Sequence, residues 1–267
     1  MLRALATVTH RGDSLPAAEG HREVTVDRGA LAAYARVCGF RVSDALPATY
    51  PHVLSFPLQM DLLTRSDFPF PVLGLVHIAN RITVHRPVLA SEALSLTVRA
   101  VDLRPHDKGR QFDVVSEARV DGELVWQDWS TYLRKGGSDS GSGDGAGAGD
   151  RAGGVDRPEA PRPGAVWQVP GDIGRRYAAV SGDANPIHLY ALTARVFGFR
   201  KAIAHGMWTK ARCLAALEGR LPEAYTVDVR FKLPVLLPAK VGFSAEGGEF
   251  AVHDVRTGRP HLSGTVS

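Results

Sequence analysis

Cysteine is scarce in this sequence: Cys38 and Cys213 are the only two in 267 residues. Two thiols without Cys-x-x-Cys spacing build neither a disulfide framework nor a sulfur-based metal or redox site, and reduced surroundings suit both. Long apolar runs are also missing, since none reaches the roughly 18 residues that a membrane helix needs. The N-terminal stretch is interrupted by Arg11 and Asp13 and has no apolar core of a secretory leader, so a cytoplasmic location is expected. No run of one charge sign stands out. The 32 basic and 28 acidic residues leave a formal charge of +4, and the scattered arginines do not form the basic stripe of a nucleic-acid-binding protein. The ten histidines include no His-x-x-x-His or His/Cys cluster, so no metal site is expected.

Hydrophobic residues are plentiful at 44%, with 22% charged, the usage of an ordinary globular chain with a sizeable core. Glycine is abundant but uneven: residues 136–164 hold 10 of the 28 glycines and almost no large apolar side chain. Such a stretch buries too little to offset its ordering entropy and reads as a flexible linker. It divides the chain into residues 1–135 and 165–267.

The two parts resemble each other. Tyr34-Ala35-Arg36-Val37-Cys38-Gly39 parallels Tyr177-Ala178-Ala179-Val180-Ser181-Gly182, each closing a short helical pattern, and Arg86-Pro87-Val88-Leu89 parallels Leu233-Pro234-Val235-Leu236. The offsets, 143 and 147 positions, are nearly constant, as a duplicated fold would give. In the second part, Met207, Ala211, Leu214 and Leu217 have helical spacing over 206–217, and Val227, Val229, Phe231 and Leu233 alternate with polar residues as a half-buried strand does. Strand-like runs follow at 240–245, 249–255 and 261–266. The first part has a helical pattern at 54–63 and strand patterns at 74–84, 93–103, 111–120 and 124–133. Pro57 fits that helix only in its first turn. The expectation is an α+β architecture in which each half is a long helix wrapped by an antiparallel sheet, the two sheets joining edge to edge.

The segment Tyr177–His188, YAAVSGDANPIH, followed by Ala204-His205-Gly206-Met207, carries the chemistry. Asn185 is a good N-cap and Pro186 a good first helical residue, which puts His188 in a first helical turn. The helix dipole there favours a neutral imidazole, able to act as a base. Asp183 can share a bound water or substrate hydroxyl with it, and Asn185 either orients that oxygen or only caps the helix. Gly206 opens the next helix with an unpaired N–H, a natural donor to a polarised carbonyl oxygen. Ser181 lacks a Gly-x-Ser-x-Gly context, which argues against a serine hydrolase.

The run Tyr177-x-x-Val180-Ser181-Gly182-Asp183-x-Asn185-Pro186-x-His188, with Ala194 after it, resembles the signature of the MaoC-like, or type 2 enoyl-thioester, hydratases of the hot-dog fold. Ile203-Ala204-His205-Gly206-Met207 and Pro234-Val235-Leu236 resemble the same family. The first part, with Thr49-Tyr50-Pro51, Phe56-Pro57 and Asp67-Phe68-Pro69-Phe70, is similar to the N-terminal half of actinobacterial double-hot-dog (R)-specific 3-hydroxyacyl-thioester dehydratases, in which only one half is catalytic. Consistent with that, Asp-x-Asn-Pro-x-His has no counterpart after Gly39. The interval from Gly39 to Pro57 is 18 positions against 24 from Gly182 to Gly206, which suggests a six-residue deletion.

The resemblance implies reversible hydration of trans-2-enoyl thioesters to (R)-3-hydroxyacyl thioesters without a metal or redox cofactor. Asp183 and His188 would hold the water or 3-hydroxyl, Asn185 would help to place it, and the Gly206 N–H would bind the thioester oxygen. The acyl group would arrive on CoA or an acyl carrier protein, with Arg195, Arg200, Lys201 or Arg230 meeting phosphates at the mouth of an acyl tunnel walled by the first half. Loss of the first half's own loop would leave room for longer chains. A homodimer of such pseudo-dimers is compatible with the sequence. The alternatives are a hot-dog acyl thioesterase and a non-enzymatic acyl-thioester-binding module.

Overall fold

The computed structural model of the chain describes residues 13–136 and 162–267. Most of the expected linker, 137–161, lies outside the described residues.

Alternating side chains build the sheet. In β3 (Ala93–His106), Leu94, Leu96, Val98 and Ala100 are buried while Ser95, Thr97 and Arg99 face away, the period-two pattern of a sheet with one covered face. With β1 (Glu19–Thr25), β2 (Leu75–Val84), β4 (Gly109–Val120) and β5 (Glu123–Lys135) it forms five strands in the order β1-β3-β4-β5-β2. The second half supplies β6 (Ala165–Val169), β7 (Tyr225–Phe231), β8 (Ala239–Glu246), β9 (Glu249–Asp254) and β10 (Pro260–Val266). Their order outward from the seam is β7-β10-β9-β8-β6, the same arrangement met from the other side. The two sheets fuse into one of ten strands through antiparallel β2–β7 pairing, from Ala79↔Arg230 to Val84↔Tyr225. The expected edge-to-edge junction is therefore present, and the central edge of each half is consumed in it.

Helices α1 (Arg28–Cys38) and α2 (Tyr50–Leu63) belong to the first half, and α3 (Ile173–Ser181), α4 (Pro186–Leu189), α5 (Ala191–Val196) and α6 (Gly206–Leu217) to the second. One apolar core spans both halves, uniting Tyr34, Ile82 and Trp126 with Tyr177, Leu214, Val227 and Val229. The repeated Tyr-x-x-Val-x-Gly motif has a backbone cause. Gly39 and Gly182 end α1 and α3 with φ of 86° and 77°, where a side chain would be strained.

Two expectations need correction. Helix α2 begins at Tyr50, with Pro51 in its first turn, and Pro57 lies in its interior. That residue is on the exposed side of the helix, where water can serve the carbonyl that proline leaves without a donor. The deletion in the first half is also larger than six residues. Gly39 to the start of α2 spans 11 positions against 24 from Gly182 to the start of α6, a difference of 13.

Candidate active site

After Gly182 the chain folds through short side-chain-to-backbone bonds. The Asp183 N–H donates to Ser181 Oγ (3.2 Å), the Asn185 N–H to Asp183 Oδ1 (3.2 Å), and the Ile187 N–H to Asn185 Oδ1 (3.3 Å). Asp, Asn and Ser are the residues that bond locally in this way. Asn185 Oδ1 is thus committed to capping α4, the plainer of its two expected roles. The four-residue α4 holds His188 at 8% exposure.

His188 Nδ1 donates to the Ile203 carbonyl at 2.8 Å. The proton must be on Nδ1 for this contact, so Nε2 carries the lone pair. Burial lowers the His188 pKa below its ordinary value, while the nearby Asp183 charge and the Ile203 bond pull it upward. The four-residue α4 has little dipole, so desolvation rather than the expected helix-end effect is the larger cause.

His205 is the residue that the sequence reading left out of the site. Its Nε2–H donates to the Asp183 carbonyl at 3.0 Å, and its ring stacks on His188 with centroids 3.7 Å apart and planes 27° from parallel. Tyr177 packs on it at 4.9 Å. Burial, then the proximity of His188, lowers its pKa to about 3, so the stacked pair stays uncharged at neutral pH. Its adjacency to Gly206 was the available signal. A carboxylate oxygen of Asp183 and one ring nitrogen each of His188 and His205 lie within 4.8 Å of one another. Such a trio invites comparison with a metal centre. Each imidazole gives one nitrogen to a backbone carbonyl and keeps the other free, the arrangement that also orients metal-bound histidines, so the trio is a group that could hold a metal ion, one the sequence spacing did not show.

Gly206 follows His205 and opens α6. Its N–H has no acceptor among the described residues, as expected at the start of a helix. A Cβ here would approach the Phe231 ring of β7 to 3.0 Å, so any side chain at this position would press on that ring. His77 of β2 meets Phe231 edge-on at 5.0 Å, which brings the first half to the site.

Beneath the site lies a buried polar cluster that periodicity could not reveal. The Lys210 ammonium of α6, fully buried, donates to Asn80 Oδ1 and to the carbonyls of Asn80 and Val227, both at 3.2 Å. Asn80 donates to Asp128, which also accepts from His52 Nδ1 at 2.6 Å. Burial lowers the Lys210 pKa to about 7 against the pull of Asp128 and Asp228.

Arg195, Arg200 and Lys201 are exposed on α5 and the loop after it. Arg230 is elsewhere. It alternates with Phe231 along β7 and lines a concavity of about 1070 Å³ on the outer face of the sheet, with Arg81 and Asp228. A strand sends neighbouring side chains to opposite faces, so Arg230 is removed from the group expected at the tunnel mouth.

Comparison with known proteins bears on this geometry. Over its whole length the chain is 40% identical to 3-hydroxyacyl-thioester dehydratase X of Mycobacterium tuberculosis, covering 96% of that protein. The family model described as "MaoC like domain" matches residues 159–262. This chain belongs to the MaoC-like dehydratase family. The crystal structure of the M. tuberculosis protein superposes on the MaoC-like chain with a TM-score of 0.80 at 38% identity, covering 93% of this chain and 99% of that one. A MaoC-like dehydratase from Phytophthora capsici shares the fold at 18% identity, with a TM-score of 0.72 over 94% of this chain and 95% of that one. A 12:0-ACP thioesterase from Umbellularia californica also shares it, at 9% identity, with a TM-score of 0.56 over 95% and 98% of the two chains. The fold is therefore shared with a chain named as a thioesterase as well as with dehydratases.

Proposed function

We propose that this MaoC-like chain dehydrates (R)-3-hydroxyacyl thioesters and, in reverse, hydrates trans-2-enoyl thioesters. The observation that carries the reading is the convergence of the Asp183 carboxylate and the His188 imidazole within 4.8 Å, beside the open first amide of α6. Dehydration must move one proton off C2 and deliver one to the departing hydroxyl, and Asp183 and His188 are placed to carry the two. Charge builds on the thioester oxygen as C2 loses its proton. The Gly206 N–H, backed by the twelve-residue α6, is the donor that meets it. His205 holds the Asp183 backbone and buttresses the His188 ring. Protons and oxygen balance with these groups and water, so the reading calls for no cofactor, and CoA or phosphopantetheine is part of the substrate.

The first half completes the sheet and supplies a wall for the acyl chain. Phe56 of α2 stands 3.7 Å from where a Cβ on Gly182 would be. With 13 residues fewer before α2, this wall leaves space for chains longer than four carbons, and a preference confined to crotonyl thioesters would count against it. Arg195, Arg200 and Lys201 are proposed to meet phosphates of the pantetheine carrier, and the cytoplasm is the proposed compartment.

The assay is incubation with crotonyl-CoA. Loss of enoyl absorbance without free thiol, giving (R)-3-hydroxybutyryl-CoA, is expected, whereas release of thiol would establish a thioesterase. Asp183→Asn and His188→Ala should each lower kcat by about 10²–10⁴ with the circular dichroism spectrum unchanged. Full activity in either variant would reject the assignment.

A further inference from the structure

We propose that the outer face of α5 is a docking surface for an acidic carrier protein that presents the acyl thioester. The proposal rests on the dehydratase reading and adds to it the partner. Leu192 and Val196, one turn apart on the same face, are 75% and 81% exposed, and Tyr190 just before them is 55% exposed. A contiguous apolar face on a helix calls for a partner more than an isolated exposed side chain does.

Charge specifies the partner. Between Asp183 and Glu218 the sequence has no Asp or Glu in 34 residues, and Arg195, on the same helix as the apolar pair, and Arg200 and Lys201, just after it, are all exposed. Arg175 of α3 adds to them, lying 5.0 Å over the Tyr190 ring and donating to the Leu189 carbonyl at 3.0 Å. An apolar centre with a basic rim complements a protein whose docking face is acidic with an apolar centre. A second copy of this chain fits poorly, because a two-fold contact would set the same arginines against one another. CoA would satisfy the cations but leave both aliphatic side chains in water. A bilayer is disfavoured because interfacial helices bury a longer apolar face than this six-residue helix offers.

Location joins the surface to the chemistry. Residues 190–202 form an excursion whose base is closed by the Ile203 N–H bonded to the Ile187 carbonyl at 3.1 Å, and by His188 Nδ1 bonded to the Ile203 carbonyl. The proposed catalytic histidine therefore clasps the root of the segment on which the carrier sits, and a docked carrier stands at the rim of the site.

The test uses the full chain and the double variant Leu192→Glu/Val196→Glu. The substrates are trans-2-octenoyl-CoA and trans-2-octenoyl loaded on an acidic bacterial acyl carrier protein. The variant is expected to lose about ten-fold or more in kcat/KM for the carrier substrate, mostly through KM, while the CoA substrate changes less than about two-fold. Rising salt should weaken wild-type turnover of the carrier substrate more steeply than that of the CoA substrate, and unacylated carrier should compete with the carrier substrate. Equal losses on both substrates, or none on either, overturn the proposal. It is also overturned if the pair instead governs sedimentation with phosphatidylglycerol vesicles or a concentration-dependent dimer, with carrier kinetics unmoved. Wild-type protein that hydrates neither thioester rejects the dehydratase reading itself, and the CoA arm tells the two failures apart.

Discussion

Gly174 and Gly206 lack side chains for different reasons. A Cβ on Gly174 would fall 1.9 Å from the His188 carbonyl oxygen, so α3 and α4 touch backbone to backbone, and a methyl group there must push His188 away. Misplacement on the ångström scale is costly to proton transfer. Gly174→Ala is therefore expected to lower kcat by about 10² with a smaller effect on KM, as steady-state kinetics would show. At Gly206 the obstacle is the Phe231 ring, which can tilt, so Gly206→Ala should be milder on folding yet still reduce kcat by displacing the amide. The pH profile tests His188 directly. Its folded pKa lies below the usual 6.5 and the base form is required, so the acid limb of kcat/KM should have its midpoint below pH 6.5. A midpoint above 6.5 would contradict the assignment.

At the scale of elements, the unexpected feature is the attachment of α6 to the first half. Lys210 lies one turn beyond Gly206 on the same helix and reaches Asn80 across the seam, fixing the helix whose first amide is proposed to hold the thioester oxygen. Lys210→Met removes a donor from Asn80 Oδ1 and leaves Asp128 without its nearby cation. A loss of about 3–5 kcal/mol in chemical denaturation is expected. Elements were legible where both faces of a strand differ in polarity: β2 to β5 and β7 to β10 lie within a few residues of the patterns read from alternation. Edge strands β1 and β6 were not read, because an exposed edge strand such as Glu19–Thr25 has little apolar alternation to show. The pattern at 54–63 enters α2 four residues late because it admits Pro57 only in a first turn, whereas the exposed position of Pro57 makes an interior proline tolerable. Asp183 and Asn185 of the site were legible because their bonds are local in sequence, and His188 because it follows the Asn185-Pro186 helix start. His205, Lys210 and Asn80 were not, since their partners are 22 and 130 residues distant.

For the whole molecule, buried neutral histidines set the acid limit of stability. His77, half-buried with its Nε2 shielded from solvent, and the buried His205 each have a pKa lowered to about 3, against 6.5 when unfolded. Between those values the unfolded chain binds protons that the folded chain refuses, so stability falls as pH drops below 6.5, by up to about 1.4 kcal/mol per pH unit for each histidine. Thermal melts should show a falling Tm from pH 6.5 toward 4, and His77→Gln should flatten the curve, provided the variant reaches wild-type Tm near pH 8. The seam between β2 and β7 has a further consequence. A protein made of single hot-dog units has to find its mate by collision, and its activity fades when the solution is thinned below the pairing constant. Here the mate is carried on the same polypeptide at an effective concentration that no dilution alters, so turnover per molecule should stay constant down to the faintest solution an assay can follow.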